Sequence, residues 1–108
     1  MREQPLEKLV AAFHADLAHD NRSPHTRHAY VTDLAQLCAF YRGSVNAMTA
    51  VVLRDFFRTH LHLSPATRVR KQAAVVGFLT WAHQHELLDS NPILKIERVK
   101  LDSPQPRG

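Results

Sequence analysis

The 108 residues carry 14 Lys or Arg against 10 Asp or Glu, a formal charge of +4 with eight histidines in reserve, and 44% are hydrophobic. These proportions describe one small globular domain rather than a disordered or fibrous chain, and a single cysteine, Cys38, excludes a disulfide scaffold and points to a reducing compartment. No apolar run approaches the roughly 18 to 20 residues needed to span a bilayer, and the Met-Arg-Glu-Gln-Pro start lacks a signal-peptide pattern, so no membrane partner and a cytoplasmic location are expected.

Leu6, Leu9, Val10, Phe13 and Leu17 recur at helical spacing behind Pro5, which suits a first helical turn, and predict a helix from about Pro5 to His19. Ser23-Pro24-His25-Thr26 is a cap followed by a proline pre-set to helical φ, and it opens a second helix running to about Tyr41. Its expected stripe is Tyr30, Val31, Leu34, Leu37, Cys38 and Tyr41, with Gly43 placed to end it in the left-handed conformation. Thr49 caps a third helix whose inward face is Val52, Leu53, Phe56, Phe57 and His60.

Ser64-Pro65-Ala66-Thr67 repeats the cap chemistry and opens a fourth helix to about Leu88, on the order of 35 Å long. Val69, Ala73, Val75, Val76, Phe78, Leu79, Trp81 and Ala82 wrap more than one side of it, as expected of a helix with several neighbours, and Gly77 is expected to mark a close helix crossing. Asn91-Pro92 stops or restarts the chain, Ile93, Leu94 and Ile96 are expected to form a short docked turn, and residues 102–108 read as a linker. With no competing strand pattern, the expected fold is all-α: a compact four-helix bundle with the fourth helix central and a short C-terminal turn.

Catalytic chemistry is hard to find. His60/His62 and His83/His85 are spaced two apart, about 200° round a helix, and His25/His28 lack a third ligand, so no metal or other cofactor is expected. Ser23, Ser64 and Cys38 lack a nucleophile's glycine-framed turn, and the glycines at 43, 77 and 108 make no phosphate loop. Charge is more informative: residues 61–72 hold Arg68, Arg70 and Lys71 without an acid, and residues 21–42 carry a net +2. Two Ser-Pro-x-Thr helix starts thus have basic residues close by, and a helix start attracts phosphate through its open N–H groups and positive dipole end. Two such starts on one side would form a clamp on a polyanion.

Ser23-Pro24-His25-Thr26 with Tyr30, Asp33, Leu34 and Phe40, then Ser64-Pro65-Ala66-Thr67-Arg68 with Arg70, then Phe78, Trp81, Leu88 and Asn91-Pro92, together resemble the N-terminal SAM-like core-binding domain of the tyrosine recombinases, the phage integrase family. The resemblance covers about residues 5–101, so a domain over residues 1–101 and a linker over 102–108 toward a separate, absent catalytic domain are expected. It implies half of a clamp around double-stranded DNA, serving integration or recombination, with other recombinase subunits as partners in a synaptic complex. Carried onto this chain, His25, Thr26 and His28 would lie at the DNA from the second helix and Thr67, Arg70 and Lys71 from the fourth. Arg22, Arg27, Ser64 and Arg68 would be phosphate contacts, and Arg70 the reader of guanine through a bidentate contact. Ala66 departs from the polar or basic residue often found there, and Tyr30 is assigned to packing. The family's catalytic set is not in this sequence, so the chain itself is expected to bind DNA and cleave nothing. The competing expectation is a helical protein-interaction or regulatory module derived from a recombinase, which dispersal of Arg22, Arg27, Arg68, Arg70 and Lys71 around the bundle would favour.

Overall fold

A computed structural model describes residues 5–19 and 24–96, with residues 24–26 as backbone only. Its elements are helices α1 (Leu6–His19), α2 (Pro24–Phe40), α3 (Ala50–Arg58) and α4 (Pro65–Gln84), with 3₁₀ turns at Val45–Ala47 and Pro92–Lys95. There is no strand among the described residues. An isolated antiparallel bridge between Pro5 and Ser44 ties the start of α1 to the turn after α2.

The two predicted caps within the described residues, Thr49 and Ser64, sit where the sequence places them because capping is a local bond, while Ser23 lies outside those residues. Thr49 accepts from the N–H of Val52 in front of α3, Ser64 from Thr67 in front of α4, and Asn91 from Ile93 in front of the last turn. On α1 all five stripe residues are buried. On α2, Leu34 and Leu37 are fully buried, whereas Val31 is exposed, on the solvent edge of the stripe.

α4 is the central helix, packing against α1, α2 and the Pro92–Lys95 turn. Its buried face is Ala74, Val75, Phe78, Leu79 and Ala82, together with Lys71 and Gln72; Ala73 lies outside it, exposed. Phe13 of α1 joins three helices: its ring centroid lies 5.9 Å from Tyr30, 5.6 Å from Phe78 and 5.4 Å from Trp81. The Trp81 indole N–H donates to Asp16 at 2.7 Å, so the half-buried ring packs against the core while its polar edge is satisfied. Tyr30 is thus a packing residue, as expected.

Three local expectations are corrected. Gly43 has no positive φ. What it accommodates is Tyr41, whose Oη and Cζ would stand 2.8 and 2.9 Å from an added Cβ, while the Tyr41 hydroxyl donates to the Ser44 carbonyl at 2.8 Å. Gly77 is not a compulsory crossing point, since an added Cβ would meet Tyr30 Oη at 3.6 Å and Phe13 Cζ at 3.9 Å, ordinary contact distances. And α4 stops at Gln84 rather than near Leu88, because Glu86 takes φ 62°. The N–H of Glu86 donates to His83 and that of Leu87 to Ala82, the paired bonds of a Schellman ending, here built on glutamate where glycine is usual.

A side chain in the left-handed region costs roughly 1–2 kcal/mol, and glycine inside a helix about 0.5–1 kcal/mol relative to alanine. Glu86→Gly and Gly77→Ala should therefore each raise stability by about 0.5–1 kcal/mol in urea unfolding of the 108-residue chain; a loss in either would show that the local geometry is set by something other than these contacts.

Candidate nucleic-acid interface

The first two turns of α4 carry five of the residues singled out in the sequence, Ser64, Thr67, Arg68, Arg70 and Lys71, though not on one face: Arg70 and Lys71 meet α2, and Arg68 lies about 200° round from Arg70. Ser64 Oγ accepts from the Thr67 N–H at 3.3 Å and donates to Thr67 Oγ1 at 3.0 Å, so both hydroxyls are engaged in the cap. Pro65 has no N–H and the Arg68 N–H bonds the Ser64 carbonyl, which leaves the Ala66 N–H as the open donor of this turn among the described residues. The helix start is a narrower anion seat than its sequence suggests.

Arg70 and Lys71 of the next turn point to α2. Asp33, only 2% exposed, receives Arg70 Nη2 and Lys71 Nζ on Oδ1 at 3.1 and 3.0 Å, and Arg70 Nε on Oδ2 at 3.3 Å. Lys71 also donates to Gln36 Oε1 at 2.8 Å and is itself 8% exposed. Its ammonium is thus turned into the α2–α4 seam. The Arg70 side chain, in contrast, is 53% exposed, with one edge of its fork held by Asp33 and the Nη1 end left over for a ligand. Sequence reasoning matched Asp33 to a motif and gave it no part in the site; Gln36 was missed altogether.

α2 and α4 run past each other in opposite senses: Arg70 and Lys71 meet Asp33 and Gln36, whereas Gly77, further along α4, meets Tyr30, earlier in α2. At 1.5 Å per residue, α2 begins about 14 Å before Asp33 and α4 about 8 Å before Arg70. The two helix starts consequently stand on either side of the Asp33 bridge instead of converging on one mouth. Arg27 is half-buried and His28 exposed in the first turns of α2. Arg22 lies outside the described residues, as do the side chains of His25 and Thr26.

His60, 8% exposed, packs its ring 4.7 Å from Phe56 behind the same seam. Burial, then the Lys71 ammonium, push its imidazole below the ordinary 6.5; Asp33 pulls the other way, and His62 and Arg68 add to the lowering. His14 shares the direction through burial alone. Among the described residues no group of three or more His, Cys, Asp or Glu is placed to hold a metal ion, and no helix is long and apolar enough to cross a membrane.

A four-helix, all-α SAM-like domain is the class of protein that this fold defines. Residues 10–86 match the family described as phage integrase, N-terminal SAM-like domain, and the chain belongs to that family. It is 38% identical over 84 residues to tyrosine recombinase XerC of Mycobacterium bovis (strain BCG / Pasteur 1173P2), covering 73% of this chain and 28% of the relative. To tyrosine recombinase XerC of Mycobacterium sp. (strain KMS) it is 32% identical over 103 residues, 88% of this chain and 34% of the relative. The chain spans about a third of the length of these relatives. Among solved structures, the integrase from mycobacterium phage Brujita superposes with a TM-score of 0.80 at 18% identity, covering 93% of this chain and 35% of that one. A lambda integrase (75–356) dimer bound to a COC' core site superposes with a TM-score of 0.82 at 10% identity, over 93% and 37%. These two show the fold.

Two outcomes follow from the seam. Asp33→Ala strands the buried Lys71 ammonium and should cost about 3–5 kcal/mol, whereas Arg70→Ala, at a half-exposed pair, should cost under about 1 kcal/mol; equal losses in urea unfolding would contradict the division. Because folding keeps His60 neutral where the unfolded chain takes a proton, its contribution is whole above pH 6.5 and falls away as the pH drops below it. Unfolding midpoints measured from about pH 7 down to pH 5 should decline for the parent, and less steeply for His60→Gln; parallel declines would remove His60 as the cause.

Proposed function

We propose that this chain is the DNA-binding module of a site-specific tyrosine recombinase, forming half of a clamp on double-stranded DNA for integration or recombination. The carrying observation is the Asp33 bridge, which locks the cationic first turns of α4 to α2 and holds Arg70 half-exposed with donors to spare. Membership of the integrase N-terminal family supports the same reading, as does the likeness in fold to a lambda integrase bound to a core site.

In this reading the phosphates meet Arg68, Arg70, the Ala66 N–H and the remaining Thr67 hydroxyl proton from α4, with Ser64 holding the cap, and Arg22, His25, Thr26, Arg27 and His28 from α2. A fixed guanidinium loses less side-chain freedom on binding than a mobile one, so Arg70 is the residue best prepared for a base edge or phosphate. Lys71 serves by holding Asp33, and through it Arg70, rather than by direct contact. Cleavage and rejoining are assigned to parts of the parent recombinase outside this domain, which works in the cytoplasm beside other recombinase subunits.

Affinity dominated by phosphate neutralisation falls linearly in log–log form with salt, by about 0.9 in slope for each contact to duplex DNA. Titrating a mixed-sequence duplex of about three helical turns at several salt concentrations should give a slope of several units for the parent, reduced by about 0.9 in Arg70→Ala. A parent whose binding is indifferent to salt would overturn the assignment.

A further inference from the structure

On the side of α4 away from α2, a groove of about 510 Å³ opens between α3, the first half of α4 and the Pro92–Lys95 turn. Arg54, Arg58, Arg68 and Lys95 line it, half-buried Phe57 and Ile96 supply apolar surface, and none of the lining residues is an acid. Among the described residues, the carboxylate that reaches these cations is Asp55, 3.1 Å from Arg58 Nη1 in an exposed pair of the kind that contributes little. Arg54 Nη2 donates to the Lys95 carbonyl at 3.2 Å, which fastens the turn to α3 and leaves the other guanidinium hydrogens to spare. Four like charges around one groove repel one another, and a polyanion relieves that repulsion.

The direction of α4 decides which polyanion. At 100° per residue, Arg68 and Gln72 lie on one flank of the helix and Arg70 about 200° round from Arg68. Between the flanks run Pro65, Ala66 and Ala73, all exposed, and half-buried Val69. The first turns of α4 therefore form an uncharged ridge with a cation on either side. A B-DNA major groove, about 12 Å wide, admits a helix and carries a phosphate backbone along each edge. An acidic protein segment would have no reason to meet both flanks of one helix.

We propose that the Arg54–Arg58–Arg68–Lys95 groove is a second phosphate site, seating the backbone of the strand that lies across the major groove from Arg70. It rests on the DNA-binding reading above and adds a wall to it: α2 and Arg70 hold one strand, α3 and the Pro92–Lys95 turn the other. Arg68 belongs to both the cap region and the groove, and so makes the cationic surface continuous.

The test uses the 108-residue chain, the same duplex and the double variant Arg58→Ala/Lys95→Ala, which leaves Arg54 and its bond to the Lys95 main chain in place. The salt slope should become shallower by about 1.8, two contacts' worth, binding at fixed salt should weaken several-fold, and phosphate-ethylation interference should vanish from one strand only. Arg58→Lys/Lys95→Arg, which keeps the charge, should restore the slope, and thermal unfolding of both variants checks that they fold. A parent-like slope in the double variant, while Arg70→Ala still lowers it, would remove the groove from the interface and leave DNA binding intact. Salt-indifferent binding by the parent would remove both.

Discussion

The arrangement of this domain depends on a single carboxylate. Asp33 is buried between α2 and α4 and holds two cations from consecutive positions of α4, one of them buried as well. An apolar contact between helices tolerates sliding, because one methyl group is much like the next; a carboxylate that must meet two donors does not. The bond set fixes how far along α2 the fourth helix sits, and with it the position of everything α4 carries. Replacing such a buried pair by well-packed apolar groups can leave stability unchanged or raise it, so what the bridge contributes is registration of the two helices and orientation of Arg70.

A second polar bond does related work at the other end of α4. Trp81 donates to Asp16 of α1 while its ring packs on Phe13 and Phe78. The long central helix is thus pinned to α2 near its start and to α1 near its end, with the fully buried Ala74, Val75 and Phe78 between the pins. Asn91 and Arg54 then fasten the Pro92–Lys95 turn, the first by capping it and the second by reaching the Lys95 carbonyl from α3. Each polar group is placed at a junction of elements, where a hydrogen bond has a direction to enforce.

What the sequence discloses follows from range. Caps at Thr49 and Ser64 are bonds within three residues, and the apolar spacing of α1 concerns one face of one helix, so both are legible. The end of α4 is not, because glutamate in the left-handed region breaks the rule by which helix ends are recognised. Gly43 is a glycine for the sake of a side chain two residues away, and Gly77 has room for a methyl group, so neither follows the conformational or crossing role expected of it. The seam was open to inference: Tyr30, Asp33, Leu34 and Leu37 keep core spacing, as do Lys71, Ala74, Phe78 and Ala82. An acid in one buried stripe and a base in another call for each other. Reading every Lys and Arg near a helix start as a phosphate contact hid that signal.

Once the seam is recognised, the charge map changes. Arg70, Lys71 and Asp33 together leave a single positive charge, so the +3 of residues 61–72 falls to +2 once the buried carboxylate is counted. The groove beside α3 keeps more: four cations against the one exposed Asp55, a net +3 drawn from three separate stretches of chain. No linear segment reveals it, since residues 43–60 carry only +1. Folding thus moves the centre of positive potential from the α2–α4 seam toward the α3 side of the fourth helix, while Arg70 stays on the other flank. Attraction for a polyanion is governed by that folded distribution, and α4 lies in the middle of it, with a cation on each side of its exposed alanines.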